Sequence, residues 1–192
     1  MSLFWLILGS YLFGSIPCGY LLGKVRGVDL RCHGSGNIGA TNAFRVLGIQ
    51  LGIVVFICDV VKGLVPALVG ARFGPGWGVL AGLAAVAGHS WSVFLGFRGG
   101  RGVATSTGVV LALMPKAVII ALIIWVLILL STGYVSLASI IATVSLPVIA
   151  LFLQAPWIYF VFAIPAPLLI VVRHLPNIRR LRNGIEPRID IW

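Results

Sequence analysis

The segment Ser35-Gly36-Asn37-Ile38-Gly39-Ala40-Thr41-Asn42, with Arg45 three residues on, gathers small residues, hydroxyls, carboxamides and a guanidinium. Glycine lets a backbone approach a ligand closely. Ser35, Asn37, Thr41 and Asn42 supply neutral polar groups, and Arg45 supplies a charged fork. Successive N–H groups running into a helix, here toward residues 43–47, suit an oxyanion or a phosphate. A loop that merely caps its own helix, with Thr41 or Asn42 as N-cap, is the plainer alternative. Capping alone does not require two asparagines, a serine and an arginine together.

A second segment, Gly99-Gly100-Arg101-Gly102-Val103-Ala104-Thr105, has the same character: a glycine run, one cation and an expected helix start. It is not a Walker A loop, which needs G-x-x-x-x-G-K-[ST]. Two such loops suggest one phosphate gripped from two sides, or two phosphorylated ligands. A third cluster lies near the C-terminus, where His174 and Asn177 are three apart and share a helix face if the turn persists. Arg179, Arg180 and Arg182 read as topology-setting cations at lipid headgroups. Glu186 reads as an ion-pair partner rather than a base.

Elements that position these groups must be membrane helices. The chain has 192 residues, 60% hydrophobic and only 9% charged, with a mean hydropathy of +1.12. A soluble domain carries about 25% charged residues, and a disordered chain is far more polar. One spanning helix takes roughly 20 apolar residues, so an all-α polytopic membrane protein of a single domain, residues 1–192, is expected. Spans are predicted at about 2–23 (kinked at Pro17), 51–71, 77–97, 103–114, 116–130, 134–153 and 156–172. The fourth is short for a full crossing. The first apolar stretch has no basic n-region and no clear A-x-A site, so it is expected to be a retained span.

The 14 cations fall unevenly on this frame. With an external N-terminus and seven spans, Arg72 and Lys116 lie on one side, Lys62 lies inside a span, and every other Lys and Arg lies opposite. That predicts N-outside, C-cytoplasmic topology and puts the polar loops on the cytoplasmic face. The net charge of +10 therefore points to anionic lipid and anionic substrate, not to a nucleic-acid partner.

Inside the membrane, Asp59 and Lys62 are spaced i,i+3. Intramembrane charges are functional candidates by default, and the two can also simply neutralise each other. His89 could titrate near neutrality or be a hydrogen-bonded histidine between helices. Ser136 and Ser139, in the Tyr134–Ser139 segment, sit at the cytoplasmic end of the sixth span, where serines are also common packing residues. Ser15/Gly19/Gly23, Gly48/Gly52 and Gly78/Gly82 are small-x3-small patterns that favour close helix packing.

No H-x4-D, D-x2-D-G or G-x-S-x-G pattern occurs. Cys18, Cys32 and Cys58 have no metal-ligand spacing. Asp29, Asp59, Glu186 and Asp190 are too scattered to suggest a two-metal site. A reaction here is expected to run without metal, without cofactor and without an Asp or Glu base.

Taken together and in order, SGNIGATN with Arg45, Gly88-His89, Gly99–Thr105, the Tyr134–Ser139 segment and the His174/Asn177/Gly184/Glu186 tail resemble the PlsY family over nearly the whole chain. The resemblance implies a seven-helix bacterial inner-membrane acyltransferase with its site facing the cytoplasm. It implies acyl phosphate and glycerol 3-phosphate as substrates, and lysophosphatidic acid and inorganic phosphate as products. Catalytic roles would fall to Ser35, Arg45, His174 and Asn177. Substrate contacts would fall to Gly36, Asn37, Thr41, Asn42, Gly99, Gly100, Arg101, Gly102, Thr105, Ser136 and Ser139. Lys62, His89 and Glu186 stay open between a structural and a functional role. The family's glycine loop usually reads GGKG; Arg101 keeps the charge but changes a point cation into a planar fork. A monomer is expected to suffice. The rival reading is a small transporter or channel for a phosphate-like anion, which would want polar groups along a path through the membrane rather than on one face.

Overall fold

The computed structural model describes residues 2–189, so Asp190 lies outside it. Among the described residues every regular element is helical. Contacts divide the chain into two compact units, residues 1–113 and 114–192.

In the first unit, α1 (Leu3–Ser15) stops at Ile16-Pro17 and the chain resumes as α2 (Cys18–Val25). Proline has no N–H and crowds the preceding turn, so the predicted kink shows as a two-residue interruption within the Leu3–Val25 stretch. After a loop come α3 (Ala40–Leu47) and α4 (Ile49–Ala71), joined at Gly48 with φ +84°. Then α5 (Pro75–Ser90) begins with proline at its first position, where the missing N–H costs nothing. The predicted third span overran this helix by several residues. The chain leaves the helix at Trp91 because the Ser92 hydroxyl donates to the Ser15 carbonyl at 2.6 Å, tying the exit to α1. Finally α6 (Val103–Leu113) is only 11 residues long, as its sequence suggested.

Small residues bring these helices to backbone contact. A Cβ added at Gly63 would overlap the Thr105 carbonyl, and one at Gly108 would overlap Val60 O, so α4 and α6 touch main chain to main chain. Gly14 meets Ala85 and Gly88 meets Tyr11 in the same way, joining α1 to α5. Lipid offers no hydrophobic drive for helix association, so such close packing is what holds the unit together.

In the second unit, α7 (Pro115–Thr132) ends at Gly133 with φ +72°, a left-handed stop. The predicted sixth span is two helices, α8 (Val135–Val144) and α9 (Leu146–Phe152), bent by 42°. Pro147 removes one ladder bond there and forces the bend. The predicted seventh span corresponds to Trp157–Arg173, in which α10 (Phe160–Ala163) and α11 (Pro165–Arg173) meet at Ile164. The basic tail opens as a helix: α12 (Leu175–Arg182) follows α11 after a 56° bend at His174.

By length and composition, Leu3–Val25, α4, Pro75–Leu95 and α7 are able to cross a membrane. Counting each bent pair as one span gives six, with α6 shorter.

Candidate functional site

The first loop is organised by Asn42. Its Oδ1 accepts the Ser35 N–H at 2.8 Å, and its Nδ2 faces the carbonyls of Leu30, His33 and Asn37 at 3.1, 3.0 and 2.8 Å. The residue is 1% exposed. Both ends of its amide are therefore spent on the loop, which corrects its expected role as a ligand contact: Asn42 builds the loop. It is not the N-cap either, nor is Thr41. The helix starts one turn earlier than expected, with Gly39 in the capping position and no side-chain cap.

The loop's entry is held by Asp29. Its carboxylate accepts from the Arg31 N–H at 3.0 Å and pairs with the Arg31 guanidinium at 2.7 Å. Arg31 in turn lies over the Tyr20 ring, 4.6 Å from its centroid. These Arg31 bonds hold the Asp29 carboxyl well below the usual carboxylate range. Gly34 and Gly36, with φ +60° and +70°, make the turn that follows.

What remains on the outside is a compact polar face. Ser35 and Asn37 are partly exposed, and Gly36 is exposed. Thr41 and Arg45 are one helical turn apart on α3 and share a side of it. The Ala40 and Thr41 amides open that helix without intrahelical partners, as every helix start leaves them. Hydroxyl, carboxamide, two amides and a guanidinium suit a phosphate group.

The second loop leads into α6 as expected, with Gly102 at φ +86° just before the helix. Gly100 donates to the His89 carbonyl at 3.0 Å, and a Cβ on Gly100 would overlap the His89 ring. Gly99 lies equally tightly against the main chain of His89 and Ser90. Glycine is thus required here for packing as well as for any ligand. Thr105 is fully buried in the first turn of α6, where α6 meets α4, and its hydroxyl has no hydrogen-bond partner among the described residues. That burial places it behind the loop and corrects its expected role as a direct contact.

Behind the second loop lie the intramembrane charges. Lys62 Nζ reaches Asp59 Oδ1 at 2.5 Å and the Ile16 carbonyl at 2.7 Å. The i,i+3 pair is as read from sequence. The proximity of His89, with Nδ1 at 3.5 Å from Lys62 and 3.7 Å from Asp59, was not legible from spacing.

In the second unit, His174 and Asn177 are each 2% exposed and lie on the buried side of the α11–α12 bend. His174 Nδ1 is 2.8 Å from the Ile170 carbonyl. A carbonyl only accepts, so Nδ1 carries the proton and Nε2 is the basic nitrogen. Asn177 Nδ2 donates to Glu186 Oε1 at 2.7 Å, which fixes the amide's orientation. Its Oδ1 meets no donor among the described residues.

Glu186 is also paired with Arg180 Nε at 2.7 Å. Arg180 is therefore a core ion-pair partner, not a headgroup cation, which corrects that expectation. Burial works against ionisation of Glu186, but the hydrogen bonds from Asn177 and Arg180, with the Ser136 hydroxyl nearby, outweigh it and hold the carboxyl below its ordinary value. Ser139 accepts from Trp125 Nε1 at 3.1 Å, joining α8 to α7. That bond gives Ser139 a part in helix packing. Among the described residues no group of three His, Cys, Asp or Glu gathers in a way that could hold a metal ion.

Known proteins carry the same layout. Residues 4–184 match the family described as glycerol-3-phosphate acyltransferase. The chain is 46% identical over 183 residues to the glycerol-3-phosphate acyltransferase of Geotalea daltonii, covering 94% of each. It is 45% identical over 191 residues to that of Aquifex aeolicus, covering 98% of this chain and 100% of that one. Its fold matches the crystal structure of PlsY, an integral membrane glycerol 3-phosphate acyltransferase, in its glycerol 3-phosphate form, with a TM-score of 0.95 and 43% identity over 98% of this chain and 96% of that one. The lysophosphatidic acid form of the same enzyme matches with a TM-score of 0.93 and 42% identity. Matches of this extent and identity settle the family: the chain belongs to the PlsY-type glycerol-3-phosphate acyltransferases.

Proposed function

We propose that this chain transfers a fatty acyl group from acyl phosphate to glycerol 3-phosphate, giving lysophosphatidic acid and inorganic phosphate. The observation that carries this is the full-length likeness, above 40% identity, to enzymes of that name and to a structure in its glycerol 3-phosphate form. The anion-suited loop around Arg45 is the local counterpart of that likeness.

The chemistry asks little of an acid–base pair. Acyl phosphate is a mixed anhydride with a good leaving group. A glycerol hydroxyl forms a C–O bond to the acyl carbon, the carbon–oxygen bond to phosphate breaks, and the hydroxyl proton passes to a phosphate oxygen of the substrate. Catalysis is then mainly positioning and charge stabilisation. In the first unit, Ser35, Asn37, Thr41 and Arg45 hold one phosphate, and the Gly99–Gly102 loop with Arg101 holds phosphate as well. In the second unit the proposed catalytic pair is His174, with Nε2 as an acceptor, and Asn177, held by Glu186. Ser136, beside that carboxylate, completes the group.

The same reading takes the whole chain as one catalytic domain, acting as a monomer without metal or cofactor. Its polar loops face the cytoplasm from the bacterial inner membrane. The seven-span, N-outside arrangement follows from the distribution of cations, with α6 as the short crossing.

The test offers acyl phosphate, acyl-CoA and acyl carrier protein in turn to purified protein with glycerol 3-phosphate, beside Arg45→Ala and His174→Ala. Product from acyl phosphate alone, reduced at least about 100-fold in each variant, agrees with the reading. Equal use of acyl-CoA overturns the donor assignment.

A further inference from the structure

Asp59, Lys62 and His89 carry no role in the acyl transfer described above, yet all three are at most 5% exposed and lie together. A buried ion pair is a poor way to glue helices, since apolar residues of similar volume usually do as well or better. We propose that these three residues are a positioning set for the Gly99–Gly102 phosphate loop, with His89 as the piece that meets the loop. The proposal rests on the acyltransferase reading for its kinetic test, though not for its spectroscopic one.

Proton counting supports it. An ammonium has three N–H donors and accepts nothing. Lys62 directs them at Asp59 Oδ1, the Ile16 carbonyl and His89 Nδ1. On that count His89 Nδ1 is assigned as the accepting nitrogen, with the ring proton on Nε2. That edge of the ring is the one packed against Gly100, where any Cβ would overlap Nε2, Cε1 and Cδ2. The His89 carbonyl meanwhile accepts the Gly100 N–H at 3.0 Å. One residue thus supports the loop with both its main chain and its ring, and Lys62, fixed by Asp59 and by the α1–α2 break, sets the angle of that ring. Two successive glycines lie against this support, next to Arg101.

A purely structural role would lower stability and scale down activity uniformly. A positioning role acts through the loop and so depends on what the loop carries. His89→Asn keeps an acceptor for Lys62 near the Nδ1 position and removes the ring edge under Gly100. The expected result is a KM for one of the two phosphorylated substrates raised about tenfold, with kcat within about threefold. In an Arg101→Ala background the same substitution has little further effect, because the group being positioned is gone. Equal fold-losses in both backgrounds, or no change in KM, overturn the proposal.

Where His89→Asn does not yield folded protein, wild-type protein labelled with ¹⁵N-histidine answers instead. Only three histidines are present. His89 is expected as the Nε2–H tautomer, with a shift on addition of inorganic phosphate. An Nδ1–H tautomer, or no response to saturating phosphate, refutes the proposal. Wild-type protein that makes no lysophosphatidic acid yet shows both signatures would instead count against the acyltransferase reading.

Discussion

Replacing Asn42 by alanine removes the hydrogen bonds that tie the first loop to α3. Four contacts are lost: one accepted from Ser35 N–H and three to carbonyls spread over residues 30 to 37. Because Nδ2 has only two protons, two of the three carbonyl contacts share one, and about three full bonds are a fair count. At about 0.5–1.5 kcal/mol net each, the loop loses roughly 2–4 kcal/mol of order. Gly34 and Gly36, on either side of Ser35, are able to move elsewhere in backbone space once that tie is gone. If that energy is drawn on when phosphate binds, kcat/KM falls about 30- to 1,000-fold. The loss falls on the loop and much less on the helical frame, since α4 packs on α5 and α6 independently of Asn42. Amide hydrogen exchange over residues 33–39, measured beside steady-state kinetics, separates the two. Faster exchange confined to the loop, with a raised KM, is expected. Asn42→Asp should behave no better, because a carboxylate can accept from Ser35 but cannot donate to three carbonyls. Unchanged exchange together with kcat/KM within threefold of wild type would refute the argument that Asn42 builds the loop.

Further consequences follow from other contacts. Gly108→Val puts a side chain into the Val60 carbonyl, so α4 and α6 must part; a loss of at least about 1–3 kcal/mol is expected, visible as a lower thermal midpoint in detergent. Ser139→Ala removes the acceptor of the Trp125 N–H and should cost about 1 kcal/mol of stability while leaving KM within about twofold; a large KM effect would mark Ser139 as a substrate contact. Glu186 has a folded pKa below its unfolded value. Its contribution is therefore fully present above pH about 4.3 and is lost as pH falls through the lower folded value. In Glu186→Gln the decline of thermal stability with acid should be shallower. It should not vanish, because Asp29 is shifted in the same direction and remains. An unchanged acid limb would show that the Arg180–Glu186 pair contributes little.

How much of the structure the residues alone disclose depends on range. The break at Pro17, the shortness of α6 and the Asp59–Lys62 pair are local consequences of a missing N–H, a short apolar run and i,i+3 spacing, so they were legible. The small-x3-small pairs were legible for the same reason: Gly19 meets Ile38 and Gly52 meets Phe44 at distances only glycine allows. The bend at Pro147 was missed because hydropathy runs unbroken through it, although a proline inside a span is itself the signal. Asn42 and Ser139 look like ligand groups in sequence because a polar side chain advertises donors without saying who takes them. Arg179, Arg180 and Arg182 are alike by composition, yet only Arg180 meets Glu186, which depends on the chain turning at Gly184 (φ +68°). His89 is 27 residues from Lys62, and only the packing of α4 against α5 brings them together. Its place beneath Gly100 could not be read from either motif alone.

The most direct measurement counts products. Purified protein in lipid is given acyl phosphate and labelled glycerol 3-phosphate, singly and together, and both lysophosphatidic acid and inorganic phosphate are quantified. The account predicts equal amounts of the two products, formed only when both substrates are present and lost in Arg45→Ala. Phosphate released without lysophosphatidic acid, or neither product alongside anion flux across the same membranes, would contradict it.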